Sequence, residues 1–106
     1  MKFAKLVIFT PLSHSTAIRK ALAESGAGHI GNYDACSFSV RGIGRFRPLK
    51  GANPHIGEVG KIEEVEEERI ETICPADKAE EILAAVKKIH PYEEPAIDMY
   101  PLLADY

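Results

Sequence analysis

Residues 70–102 read IETICPADKAEEILAAVKKIHPYEEPAIDMYPL, and this stretch decides the fold. Ile70-Glu71-Thr72-Ile73-Cys74 is short, β-branched and mostly apolar, as a strand on a covered sheet is. Pro75 or Ala76 then opens a helix, since proline's missing N–H would go unpaired in a first turn anyway. Ala79, Ile82, Leu83, Val86 and Ile89 recur at helical spacing and define its buried stripe. Lys87, Lys88 and His90 close it with cations at the negative end of the helix dipole, and Pro91 stops it. After the turn Tyr92-Glu93-Glu94-Pro95, residues 96–102 supply a last strand.

Working outward, the first part of the chain has the same grammar. Residues 2–10 form a nearly continuous apolar strand that ends at Pro11. Ser13 or Ser15 is placed to cap a helix whose apolar stripe is Ala17, Ile18, Ala21 and Leu22. Gly26 stands where a left-handed C-terminal cap is wanted. A turn-rich connection over 26–32 follows, and residues 33–41 then alternate, with Cys36, Phe38 and Val40 on one side and Ser37, Ser39 and Arg41 on the other. Glu63 to Glu71 leads into the strand that ends at Cys74, with a break expected near residues 66–68 and the acidic run expected as a solvated edge. The order strand, helix, strand, strand, helix, strand predicts an α+β fold. It is a ferredoxin-like βαββαβ sandwich, one domain over residues 1–106, with a four-stranded antiparallel sheet and both helices on one face. The uncovered sheet face calls for a partner, and a homo-oligomer is the economical answer.

At 106 residues with a net charge of −3, the chain holds one core and has no general attraction for nucleic acid or anionic lipid. Trp is absent and the aromatic residues do not interleave with the arginines, which excludes a nucleic-acid stacking platform. The apolar N-terminal run is too short to span a membrane, and no small-residue cleavage site follows it. Cys36 and Cys74 form no C-x-x-C pair and read as free thiols, so a cytoplasmic setting is expected.

Candidate chemistry sits in two places. The stretch 42–60 carries Gly42, Gly44, Gly51, Gly57 and Gly60 with Pro48 and Pro54, and it holds Arg45, Arg47 and Lys50 with no acid before Glu58. So long a segment without regular structure is commonly functional. Gly44, Arg45, Arg47, Asn53 and His55 are therefore candidate ligand-binding residues, the arginines as forked donors to a small anion or nucleotide. Equally, those arginines are free to pair with the acidic strand that follows. The segment is not a Walker loop, since no Gly-Lys-Ser/Thr follows at the required spacing. In the second place, His90, Glu93 and Glu94, with His29 as a further candidate, offer nitrogen and oxygen to a divalent metal ion. Pro91 breaks helical spacing there, and the same residues serve as a structural turn. Tyr92 reads as packed with its hydroxyl satisfied. Convergence of His29, His55 and His90 in space would mark a functional cluster. No catalytic set is apparent.

The run GAGHIGNYDACSFSVRGIGRFRPLKGANPHIGEVGKIEEVEEERIE (residues 26–71), followed by HPYEEPAIDMYPL (90–102), resembles the domain inserted within longer Nif-three-like proteins. Those are the dinuclear-metal proteins labelled GTP cyclohydrolase I type 2 homologues, YqfO-type proteins among them. The likeness covers essentially the whole chain, and a shorter one, helix then HPYEEPAI, points to the CutA divalent-cation tolerance proteins. The inserted domain is similar to CutA and to the PII nitrogen-signalling proteins, which are ferredoxin-like trimers. The resemblance implies that fold, a trimer and a sensory or accessory role. The stretch after strand two corresponds to the PII contact loop. The family's two-metal ligands lie on flanking halves that have no counterpart in these residues, so the resemblance does not carry a hydrolase or cyclohydrolase activity to this chain. Docking on a separate dinuclear-metal protein is the alternative role, and a metal-dependent hydrolase ranks behind it.

Overall fold

The computed structural model describes residues 2–106. Its strands are β1 (Phe3–Pro11), β2 (Phe38–Phe46), β3 (Glu63–Pro75) and β4 (Ile97–Leu102), and its helices are α1 (Ser15–Glu24) and α2 (Ala79–Ile89). The sheet order is β2-β3-β1-β4, with every neighbouring pair antiparallel. This is the expected ferredoxin-like βαββαβ sandwich.

Pairing of Leu6 with Thr72 and of Ile8 with Ile70 sets the register of the central strands. It puts Ala4, Leu6, Ile8, Ile70 and Cys74 on one face, where they join Ile18, Leu22, Ala79, Ile82 and Val86 in the core. A slip of one residue would turn that set to the other face, so the apolar pattern enforces the pairing. Each buried Leu, Ile or Val stabilises the fold by roughly 1.5–3 kcal/mol relative to exposure. The opposite face carries Phe9, Arg69, Phe38 and Val40 and no helix covers it. The Arg69 guanidinium lies 5.5 Å from the centroid of the Phe9 ring there.

Several local expectations change. Residues 33–37 are not strand; β2 starts at Phe38 and runs through Gly42 and Gly44 to Phe46. Glycine weakens a strand, but the cross-strand pairs from Phe38↔Glu71 to Phe46↔Glu63 override local propensity. The irregular loop is therefore 47–62. β3 is unbroken across Glu66–Glu68 and is central, not an edge, and Glu67 and Glu68 are buried. Glu68 is ion-paired to Arg19 of α1. In the stripes, Ala17 and Ile89 face solvent, while Ile18, Leu22, Ile82 and Val86 are buried.

Neither serine caps α1. The helix is entered through a single 3-10 turn at Leu12–His14, Ser13 Oγ lies 2.8 Å from His14 Nδ1, and the buried Ser15 hydroxyl has no partner. The other end follows expectation. Gly26 has φ +95°, Ala27 N–H donates to Leu22 O and Gly26 N–H to Ala23 O, which satisfies the carbonyls of the last turn. Gly28, at φ +82°, lies against the Cys36 backbone so closely that any side chain would collide with it.

The extents are 46 × 22 × 21 Å with a radius of gyration of 14.6 Å, against about 13 Å for a compact chain of this length. The β2–β3 ribbon extends past the other strands. β1 pairs with β3 only as far as Glu67, so Glu63–Glu66 have β2 alone beside them.

Candidate functional site

The outer end of the β2–β3 ribbon, the 47–60 loop and the turn after α2 line a cleft of about 560 Å³. Its walls are largely apolar: Phe9, Phe46, Pro48, Leu49, Pro54, Ile56 and Ala96. Gly44, Arg45, Arg47, His55, Glu67, Tyr92, Glu93 and Glu94 add polar groups and one bare backbone position. An apolar cavity of this size with a few convergent polar groups is the usual form of a small-molecule site.

At the floor, the Tyr92 hydroxyl donates to Glu67 Oε2 at 2.9 Å. Glu67 reaches this position from β3 because Gly44, on the neighbouring strand, has no side chain; a methyl there would overlap Glu67 Oε1. Burial, then the hydrogen bond to Glu67 and its negative charge, hold the Tyr92 phenol well above its ordinary pKa. Tyr92 is thus packed with its hydroxyl satisfied, as expected, and it is a proton donor that keeps its proton.

Rings gather around it. Tyr92 lies 5.9 Å from Phe46, 6.3 Å from His55 and 5.2 Å from His90, centroid to centroid. His55 in turn meets His14 edge-on at 5.9 Å. So His14, and not His29, joins His55 and His90; His29 lies in the turn after α1, away from the cleft lining.

His90 is buried and has both ring nitrogens occupied. Nδ1 accepts the Tyr92 backbone N–H at 3.1 Å, so Nε2 carries the proton and donates to Phe9 O at 2.8 Å. Burial pushes this imidazole below its ordinary pKa, against the hydrogen bond to Phe9 that pulls it up. It is therefore the structural clasp between β1 and the 90–96 turn, with no free nitrogen for an ion. Glu93 accepts the Asn53 backbone N–H at 3.0 Å, which ties the long loop to that turn. Among the described residues no three His, Cys, Asp or Glu side chains converge in a metal-binding group. The expected set of His90, Glu93, Glu94 and His29 is not brought together as a coordination sphere.

Of the ligand candidates, Gly44, Arg45, Arg47 and His55 line the cleft, and Asn53 reaches it through Glu93. Arg45 Nε is 2.7 Å from Glu64 in an exposed pair, so one arginine does pair with the acidic strand. Arg47 makes no ion pair with a described carboxylate. Sequence reasoning missed Glu67, Phe9 and Phe46. Glu67 is hidden among the glutamates that surround it in the chain. The usable signal was a glycine, Gly44, in a strand facing that run.

The sheet and its two helices define a fold class, the ferredoxin-like sandwich shared by CutA proteins. The periplasmic divalent cation tolerance protein CutA from Archaeoglobus fulgidus aligns over 98% of this chain and 87% of its own, with a TM-score of 0.70 and 22% identity. That is a likeness of fold alone. No family model matches the chain. In sequence, the GTP cyclohydrolase 1 type 2 homolog of Halalkalibacterium halodurans is 52% identical over 98 residues, which is 92% of this chain and 26% of that protein. The Bacillus cereus protein related to NIF3 aligns with a TM-score of 0.85 and 47% identity over 97% of this chain and 26% of that one. The chain is thus a homologue of one segment of the Nif3-like proteins, and spans about a quarter of the length of these relatives.

Proposed function

We propose that this is a non-catalytic accessory domain, sensory in role, that binds a small anionic ligand of nucleotide size in the cleft. The observation that supports it is the cleft itself: apolar and aromatic walls, a buried Glu67–Tyr92 pair at the floor, and Arg47 free of carboxylates at the lining. The apolar walls suit a ring and the guanidinium suits a phosphate or carboxylate. A divalent ion enters this reading only as a companion of the ligand's phosphate, since the His90 nitrogens are taken. Self-association, as a trimer, through the open sheet face belongs to the same reading, as does a reducing cytoplasm for the free thiols Cys36 and Cys74. No helix among the described residues is long and apolar enough to cross a membrane.

Thermal shift with nucleoside monophosphates, inorganic phosphate and divalent metal chlorides tests the binding. A nucleotide is expected to raise the melting temperature. Arg47→Ala is expected to weaken binding about tenfold, the scale of one charge-assisted hydrogen bond. If no ligand of the panel shifts the melt, the reading is lost.

A second reading draws on the exposed Phe38, Val40 and Tyr100 and on the quarter-length match to Nif3-like proteins. In it the chain docks on a separate dinuclear-metal protein of that kind. Capture of such a protein, abolished by Phe38→Glu, would favour it over self-association.

A further inference from the structure

The cleft has a group that an anion alone does not need. Glu67 is only 9% exposed, lines the cleft, and is acceptor-only as a carboxylate. Tyr92 occupies one lone pair of Oε2, and the bare Cα of Gly44 leaves room for Oε1 to lie in place. Inorganic phosphate set beside this carboxylate would be repelled. An apolar ring would leave its remaining lone pairs unanswered, and an unpaired buried acceptor is costly. What answers it is an N–H donor carried on a flat body that fits among Phe9, Phe46, His55 and Tyr92.

We infer that Glu67 is the specificity-determining residue of the cleft. Held by Tyr92 and admitted by Gly44, it reads the exocyclic amine of a planar nitrogen heterocycle whose anionic group lies toward Arg47. The inference rests on the cleft-binding reading above, and deepens it from an anionic ligand to one that must also present an N–H donor. A site built to bond a donor discriminates strongly against the analogue that lacks it, because its own buried acceptor is then left unpaired. Tyr92 is a positioning residue in this scheme. Its proton is spent on Glu67, which fixes the carboxylate but leaves the tyrosine no donor for the ligand.

The test uses two matched pairs of 5′-monophosphates on the purified chain: guanosine with inosine, and adenosine with purine riboside. Within each pair only the exocyclic amine differs. Titration calorimetry is expected to show at least one amine-bearing ligand binding about tenfold or more tighter than its partner. In Glu67→Gln, which keeps the size and an acceptor for Tyr92, that ratio should fall to about twofold or less, with an unchanged melting temperature as the control for folding. The comparison within the unmodified chain does not depend on any variant folding. Equal affinities within both pairs, or a preference that survives Glu67→Gln, would overturn the inference and leave cleft binding standing. Absence of binding by all four, and by inorganic phosphate, would overturn both.

Discussion

Tyr92, Glu67 and Gly44 act as one unit, and their coupling is measurable as stability. Tyr92→Phe removes the hydroxyl from a buried carboxylate and is expected to cost about 1–3 kcal/mol in urea unfolding. Gly44→Ala places a methyl where Oε1 lies, so Glu67 must swing away and lose the same bond. The two changes should therefore be non-additive: Gly44→Ala is expected to be damaging beside Tyr92 and much less so in a chain that already carries Tyr92→Phe. Additive effects would show that Gly44 is not there to seat the carboxylate. Residue identity alone does not pick Glu67 from its neighbours. What buries Glu67 and leaves Glu66 exposed is that Glu67 packs over Gly44 and under Tyr92 while Glu66 points to the other face of the strand, contacts made by residues remote from one another along the chain. Arg47 and His55 were legible because glycine, proline and cations crowd one segment, whereas burial of an acid depends on long-range register.

At the scale of elements, the two strand–helix–strand halves were plain in the sequence, because apolar periodicity and the stops at Pro11 and Pro91 are local signals. Boundaries were not. Alternation over 33–41 places β2 too early, since Gly42 and Gly44 argue against strand and only the ladder with β3 overrules them. The serines before α1 mislead as caps because a 3-10 turn supplies the helix entry in place of a serine side chain. The turn after α2 carries a testable pH signature. His90 is held neutral between Phe9 O and the Tyr92 N–H, and burial lowers its pKa below the unfolded value of about 6.5. As pH falls below that value the unfolded chain takes up a proton that the folded chain resists. The contribution of His90 to stability is therefore full above about pH 6.5 and is lost as pH falls toward the depressed folded pKa. Urea melts between about pH 7.5 and 5.5, above the carboxylate range, should show stability declining, and the decline should be shallower in His90→Gln. His14 and Glu67 act on the same ring with opposite signs, the first lowering its pKa and the second raising it. An equal slope in the variant would show that His90 is not the group behind the decline.

At the scale of the whole molecule, the shape does not close on itself. The helices cover one face of the sheet, and the other presents Phe38, Val40 and Tyr100 to solvent at 67%, 48% and 43% exposure. The outer part of the β2–β3 ribbon is two strands with only the 47–60 loop and the turn after α2 against them, and a ribbon without a third strand is marginal in water. Further copies answer both needs, since in a closed ring of three each chain's apolar strip is buried against its neighbours, which also give the ribbon a surface to lie on. Light scattering after size-exclusion chromatography is expected to return a mass above that of the 11.7 kDa chain, with a trimer as the expected count. Because assembly then contributes to stability by mass action, the melting temperature should rise with protein concentration. Phe38→Glu, at an exposed position away from the core, is expected to give a monomer whose melt no longer depends on concentration. A monomer for the unmodified chain across that range would refute self-association. The open face would then be free for a different protein, and the cleft would have to complete its site within one chain.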